Sequence, residues 1–400
     1  MKKQLLFMAV AGLFTSMASA ADLIVRDGGA GGAYPTISAA VAAANDGDRI
    51  IIRPKVGNLP YQENITVDKS LTFVTEIAGD KYEINGSITI TTANDRVVTI
   101  QDAAMVNNND IGAGGSSLTG RMTVNVLNCI VSDDILMTAG GLTANIIGSE
   151  CDMITMVHGK VVSTVTKKIT ITDDNGASPS NDDLYLIANK IVYPAHGVTE
   201  SPAIIFATTK YQFHILNNFI NNAGGNAIAI SNMKVGTTNE IANNFIYFSN
   251  SNSQGIYVGG NALATVYILN NAFDNGQLAF TVDASSTPYV VAQYNIVDSS
   301  SGSFAGNNLD VSNNNSAGSY VFNSSTGIAT GVILNAGNPD NTYADIDLTR
   351  NDVGPTGGSY AWSNYWTGIT NRAHVFFLNT PRTIYNGTTT FSANGSATTK

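Results

Sequence analysis

Charge is the first scarcity in this sequence. Only 12% of the 400 residues are Asp, Glu, Lys or Arg, and their balance is acidic, with a formal net charge of -10. Such a chain has no basic field with which to hold nucleic acid or an anionic lipid surface. Cysteine is limited to Cys129 and Cys151, which excludes a disulfide framework. One bridge between them, or two unpaired small hydrophobes, both stay open. The four histidines, His158, His196, His214 and His374, lack metal-ligand spacing, and no Gly-x-Ser-x-Gly elbow or phosphate loop occurs. Beyond the first twenty residues no run of about 18 apolar residues appears, so no membrane span is expected.

The first twenty residues carry a separate message. Lys2 and Lys3, an apolar run from Leu5 to Phe14 and Ala18-Ser19-Ala20 have the order of a secretory signal. The expectation is an exported protein, extracellular or at the cell surface, with the periplasm as the alternative. Without those two lysines the formal charge is -10 - 2 = -12.

Hydrophobic residues reach 44% and come in short β-branched runs, which is not a disordered composition. Inside them asparagine recurs. The stretches "HILNNFINNAGGNAIAIS", "EIANNFIYFSNSNSQGIYVG" and "YILNNAFDNGQLAFTVD" place Asn218, Asn244 and Asn271 at intervals of 26 and 27. Extending the alignment adds Asn128, Ser149, Lys167, Asn189 and Asn295, with Ile220, Ile246, Phe273 and Val297 two residues after their markers and Leu216, Ala242 and Leu269 two before. An apolar position on each side of a polar corner, once per twenty to thirty residues, predicts a coil of short parallel strands. Asn tolerates a left-handed corner, and stacked amides can bond along the axis. Asn128, Asn189, Asn218, Asn244, Asn271 and Asn295 are therefore read as structural ladder residues. In this register Cys129 and Cys151, 22 apart, fall one residue out of step.

Ahead of the coil, "YPTISAAVAAANDGDRIIIRP" places Ile37, Ala40, Val41 and Ala44 at helical spacing behind Thr36 as N-cap. An amphipathic helix there would cover the open first rung. The expected organisation is a signal over 1–20, a β-helix with its N-terminal cap over 21–358, and an aromatic cap with a short β tail over 359–400. Rungs are expected to run to about Leu334.

The opening segment through "YQENITVDKSLTFV" and the repeated "NNFI...GI" resemble the right-handed parallel β-helix proteins of the pectate lyase superfamily. The closing "LNAGNPDNTYADIDLTRNDVGPTGG" is similar to the final segment of many bacterial secreted members. The resemblance covers about residues 22 to 358 and implies an all-β, right-handed parallel β-helix. It implies no particular activity.

Enzymes of that superfamily act on acidic polysaccharides, and each class leaves residues to look for. A lyase needs a base, usually Arg, beside carboxylates that hold Ca²⁺, yet arginine is absent from Met122 to Thr349. Lys190, Lys210 and Lys234 are the remaining bases. A hydrolase needs carboxylates across a groove; Asp133-Asp134, Asp173-Asp174 and Asp182-Asp183 are pairs in sequence, but consecutive strand residues face opposite ways. The family's Asn-Thr-Asp, Gly-His-Gly and Arg-Ile-Lys motifs are missing, as is most of an esterase site beyond "IQDAAM". Asp340, Asp345, Asp347 and Asp352 offer oxygen ligands for a Ca²⁺ clip, against a reading as turn residues. Tyr360, Trp362, Tyr365 and Trp366 could stack on sugar or plug the last rung.

The sequence thus predicts an exported β-helix scaffold that binds a polysaccharide or cell-surface glycan, or serves adhesion. The alternative is a polysaccharide lyase or glycoside hydrolase built on Asp133, Asp134, Asp173, Asp174, Lys190 and Lys210.

Overall fold

The computed structural model describes residues 20–399 except 194–200, 223–224, 249–253, 261–262, 275–277, 283–287, 299–302, 307–308, 312–314, 367–372, 380–389 and 391–392. Residues 1–19 of the segment read as a signal peptide, and His196, lie outside the described residues.

Isoleucine shows why the chain coils. Ile65, Ile88, Ile111, Ile135, Ile154, Ile169, Ile204, Ile228 and Ile256 stand in direct register on successive parallel strands, and each is buried. A β-branched side chain fills the pleat, and the same residue one rung on covers it. Burying each such side chain contributes roughly 1.5–3 kcal/mol. The result is a parallel β-helix with three long walls. The first sheet has 13 strands, from Asp22–Val25 to Leu309–Asp310; the second has 11, from Ile65–Val67 to Ser303–Gly306; the third has seven, from Val165–Thr166 to Ser316–Ala317. The core fills the space between them.

Near the start, the helix Ile37–Ala43 takes Thr36 as N-cap, whose hydroxyl accepts from the Ala39 N–H at 3.1 Å, and buries Ile37, Ala40 and Val41. Its N-terminus is also held by Glu63, which accepts from the Ile37 and Ser38 amides. The helix packs beside the first strands of the first and second sheets.

The corner between the first and third sheets explains the doubled asparagines. Asp102, Asn128, Gly148, Ser163, Ala188, Asn217, Asn243, Asn270 and Tyr294 occupy one column, all with positive φ. Gly148 fits that conformation without strain and Asn at little cost. The next residue turns inward. There Asn189, Asn218, Asn244, Asn271 and Asn295 form a column of buried amides, continued by Asn315. The Asn218 Oδ1 accepts from the Asn189 backbone N–H and side-chain amide, both at 2.9 Å; its Nδ2 donates to Asn244 Oδ1 at 2.9 Å and to the Leu186 carbonyl at 3.0 Å. All four bonding positions of the amide are used.

Three expectations need correction. Asn128 belongs to the corner column, not the buried amide column, and its amide donates to Asp102. In the early rungs the amide column is filled by Cys129, Ser149 and Thr164, so Thr164 takes the place expected of Lys167. Leu216, Ala242 and Leu269 face outward, because the corner residue reverses the alternation; Ile215, Ile241 and Ile268 point inward. The same register places Cys129 beside Ser149 and two positions from the partner of Cys151. Both cysteines are free and buried.

The coil ends earlier than expected. Its last strand is Ser316–Ala317, and Tyr320–Asn323 with Ile328–Gly331 forms an antiparallel hairpin. The chain then returns along the outside of the coil. Asn338 bonds Asn270, Asn351 and Asp352 bond Asn243, Gly357 bonds Asn217, Trp366 bonds Ala188, and Phe377 reaches Tyr185 and Lys160. This strap covers the outward apolar column Ile147, Val162, Ile187, Leu216, Ala242 and Leu269 with Tyr365 and Phe377. A final antiparallel pair joins Ala373–Asn379 to Asn394–Thr399.

Candidate functional site

Beside that apolar column the outer face of the first sheet carries a second one. Lys160, Tyr185, His214, Glu240 and Tyr267 stand in register on successive rungs. The strap rises along one side of it. Between sheet and strap lies a groove of about 710 Å³, lined among others by Tyr185, His214, Glu240 and Tyr267 from the coil and by Asp345 and Tyr360 from the strap.

His214 is the centre of its charge. Its ring stacks on Tyr185, with centroids 4.7 Å apart and planes at 11°. Nε2 lies 3.1 Å from Asp183 Oδ2 and Nδ1 lies 3.4 Å from Glu240 Oε2. Only the imidazolium can donate to both carboxylates at once. Burial pushes the His214 pKa down, but the hydrogen bonds and charges of Asp183 and Glu240 outweigh it and leave it above its ordinary value. On the opposite wall burial, with Asp352 and Asp347 nearby, raises the Asp345 carboxyl to about 6, although the Gly358 and Asp352 amides bond it. Burial also keeps the Tyr185 phenol well above its usual range, and so neutral.

A second polar cluster is closed. Arg121 donates to Asp174 at 3.4 Å, to Tyr211 at 3.3 Å and to Thr143 at 2.7 Å, and lies 3.3 Å from His158 Nδ1. Asp174 also accepts from Tyr211 and from the Gly141 and Gly176 amides. The His158 Nε2 lies 3.1 Å from the Asp182 carbonyl oxygen, to which it donates, leaving Nδ1 as acceptor. Burial lowers the His158 pKa to about 4, so the ring is neutral at ordinary pH. With Asp174 fully buried, these bonds pin the loop around residues 173–183 to the first sheet.

The residues singled out from the sequence are dispersed. Asp134 is part of a second ladder, in which Asn64, Ser87, Asp110 and Asp134 each accept the backbone N–H of the corresponding residue one rung on. Asp133 precedes it in the same turn. Asp173 caps the next turn, accepting from Thr208 and Thr209, and the Lys210 amide bonds the Thr208 hydroxyl. Asp174 belongs to the Arg121 cluster, and Lys190 opens a strand of the third sheet. These six residues are not brought to one groove.

The four strap aspartates do not make a cage. Asp340 accepts from Thr342 and Asp347 from Thr349, each within its own turn, while Asp345 holds the Asp352 and Gly358 amides. Among the described residues no three acidic, His or Cys side chains come together as metal ligands. Of the four aromatics, Trp362 is fully buried against Phe219 and Phe322, Tyr365 is buried against the outward apolar column of the coil, and Trp366 stacks on Trp362 and donates Nε1 to the Ala188 carbonyl. Only Tyr360 lines the groove.

Tyr185, His214, Glu240 and Tyr267 were not singled out as a group. Each stands four residues before a ladder asparagine, so they share its period. The signal that finds them is a polar or aromatic side chain recurring at one outward position.

The fold is that of a parallel β-helix bearing an aromatic, acidic groove along one wall. In comparisons with known proteins no family model, curated protein or solved structure matches the chain. No helix among the described residues is long and apolar enough to cross a membrane.

Proposed function

We propose that the protein is an exported scaffold that binds a glycan along the groove of its first sheet, in service of recognition or adhesion. The observation that carries this reading is the column Tyr185, His214, Glu240 and Tyr267, in which a stacked Tyr185–His214 pair and the Glu240 carboxylate lead to the Tyr267 ring, with Tyr360 of the strap lining the same groove. Aromatic faces stack on the apolar faces of sugar rings, while a few fixed polar groups set orientation. The resemblance to the pectate lyase superfamily agrees with a sugar ligand and is itself part of the proposal.

A hydrolase is the second reading, favoured by two carboxylates, Asp183 and Glu240, bonded to opposite nitrogens of His214. One assay separates them. The full chain is incubated with a panel of soluble glycans while retention, new reducing ends and ultraviolet absorbance of unsaturated ends are followed together. Retention without new ends, lost in Tyr267→Ala, is expected. New reducing ends would establish the hydrolase, unsaturated ends a lyase, and silence in every channel would defeat the glycan reading.

A further inference from the structure

The groove is unsuited to the acidic polymers that its fold brings to mind. Glu240 and Asp345 line it, and Asp183 adjoins it through its bond to His214. No Lys or Arg is among the described residues that line it, which leaves His214 as its only cation. Lys160, the nearest lysine in the same column, is turned over the Phe377 ring at 4.6 Å, and burial lowers its pKa. The whole chain adds a net charge of -10. A uronate chain carries one negative charge per sugar, so it would meet like charge on both walls and from the molecule as a whole.

An ammonium meets the opposite situation. The His214 ring covers one face of Tyr185, but Tyr267 stands on the rung beyond Glu240 and Tyr360 lines the strap side, and a tyrosine face attracts a cation as well as stacking on a sugar ring. Glu240, one rung before Tyr267, is a hydrogen-bond acceptor for a charged donor, the stronger kind of bond. Tyr360 and the neutral groups Gln212 and Thr238 can take up hydroxyls.

Resting on the glycan reading above, we propose that the ligand is an amino-sugar polymer with free amines, held as a polycation between the Tyr267 and Tyr360 rings and the groove carboxylates. Acetylation would remove the charge and leave only the stacking. A uronate of the same length would be rejected.

The test is calorimetric titration of the full chain at about pH 6.5, above the Asp345 value of about 6 and where sugar amines still carry charge. Four oligomers of equal length are compared: glucosamine, N-acetylglucosamine, galacturonate and lysine. The glucosamine oligomer is expected to bind about tenfold more tightly than its acetylated form, and less tightly as salt is raised. Glu240→Gln and Asp183→Asn should each remove most of that preference while leaving weak binding of the acetylated oligomer. An unchanged melting temperature guards against misfolding, and either variant suffices if the other fails to fold. Equal affinity for the acetylated oligomer, or preference for galacturonate, would overturn the amine proposal while the groove remained a glycan site. Equal binding of oligolysine would overturn the requirement for sugar. Binding of none of the four, with retention on some other glycan, would overturn the amine proposal alone; no retention on any glycan would remove the glycan reading as well.

Discussion

Asn217 and Asn218 are adjacent in the chain and serve opposite sides of the wall. The Asn218 amide points into the coil and bonds Asn244 at 2.9 Å, whereas the Asn217 amide points out and holds the carbonyls of Pro355 at 3.0 Å and Gly357 at 2.6 Å. The same division holds for Asn243 and Asn244. One dipeptide therefore fixes rung to rung and strap to coil.

The inner half predicts a large loss on truncation. Asn244→Ala takes from the Asn218 backbone N–H its bond to Oδ1, and removes one bond each from the Asn218 amide, which keeps the Leu186 carbonyl, and from the Ile215 carbonyl, all in a dry interior. At about 1–3 kcal/mol for an orphaned N–H and about 0.5–1.5 kcal/mol for each other lost bond, the variant should lose roughly 2 kcal/mol or more. The check is the denaturant midpoint, and an unchanged midpoint would contradict the ladder.

The outer half predicts release without collapse. Asn243→Ala removes donors to Asn351, Asp352 and Gly354, while Gly357→Ala drives a Cβ into the Asp352 carbonyl oxygen. Limited proteolysis should cut either variant between residues 335 and 378 much faster than the native chain. Far-ultraviolet dichroism of the coil should stay nearly unchanged; loss of that signal would mean that the strap is required for the coil itself.

The two described histidines with shifted pKa values should tilt stability in opposite directions. His214 is held above its unfolded value of about 6.5, so its contribution is complete below about pH 6.5 and fades as pH rises through the folded value. His158 is held near 4, so its contribution is complete above about pH 6.5 and fades as pH falls toward about 4. Melting temperatures from acid to alkaline pH should show the deficit of His214→Gln shrinking as pH rises and that of His158→Gln shrinking as pH falls. Parallel curves would contradict both assignments.

The cysteines should be silent. Burial raises both thiols to about 12, and thiolate is the reactive form. A thiol reagent should label neither in the native protein and both after denaturation, and a reductant should leave the melting temperature alone. Prompt labelling of Cys151 would show that its rung opens.

How much of this was legible follows from where each residue's information lies. Asn218, Asn244 and Asn271 announce the coil because the demand on them repeats with the rung. Ser149 is found by its spacing alone, whereas Thr164 meets that demand with a hydroxyl and escapes a search for amides, and the expected Lys167 marks a length variation in the turn. Leu216 reads as core, since an outward position covered by a distant strap is as apolar as an inward one. The Arg121 cluster was out of reach because Tyr211 lies 90 residues away on a later rung. Trp362, Tyr365 and Trp366 kept the sequence silent between stacking on sugar and plugging a core, because both uses favour the same rings.

The strap also acts as a gauge. A free solenoid can gain or lose a repeat with little penalty, since each rung knows only its neighbours. Here Asn217, Asn243 and Asn270 must meet fixed points between Asn338 and Gly357. A rung inserted or removed among them would move those points out of step by one strand spacing, about 4.8 Å. The length of this stretch of coil is therefore recorded twice, once in its repeats and once in the segment that measures them.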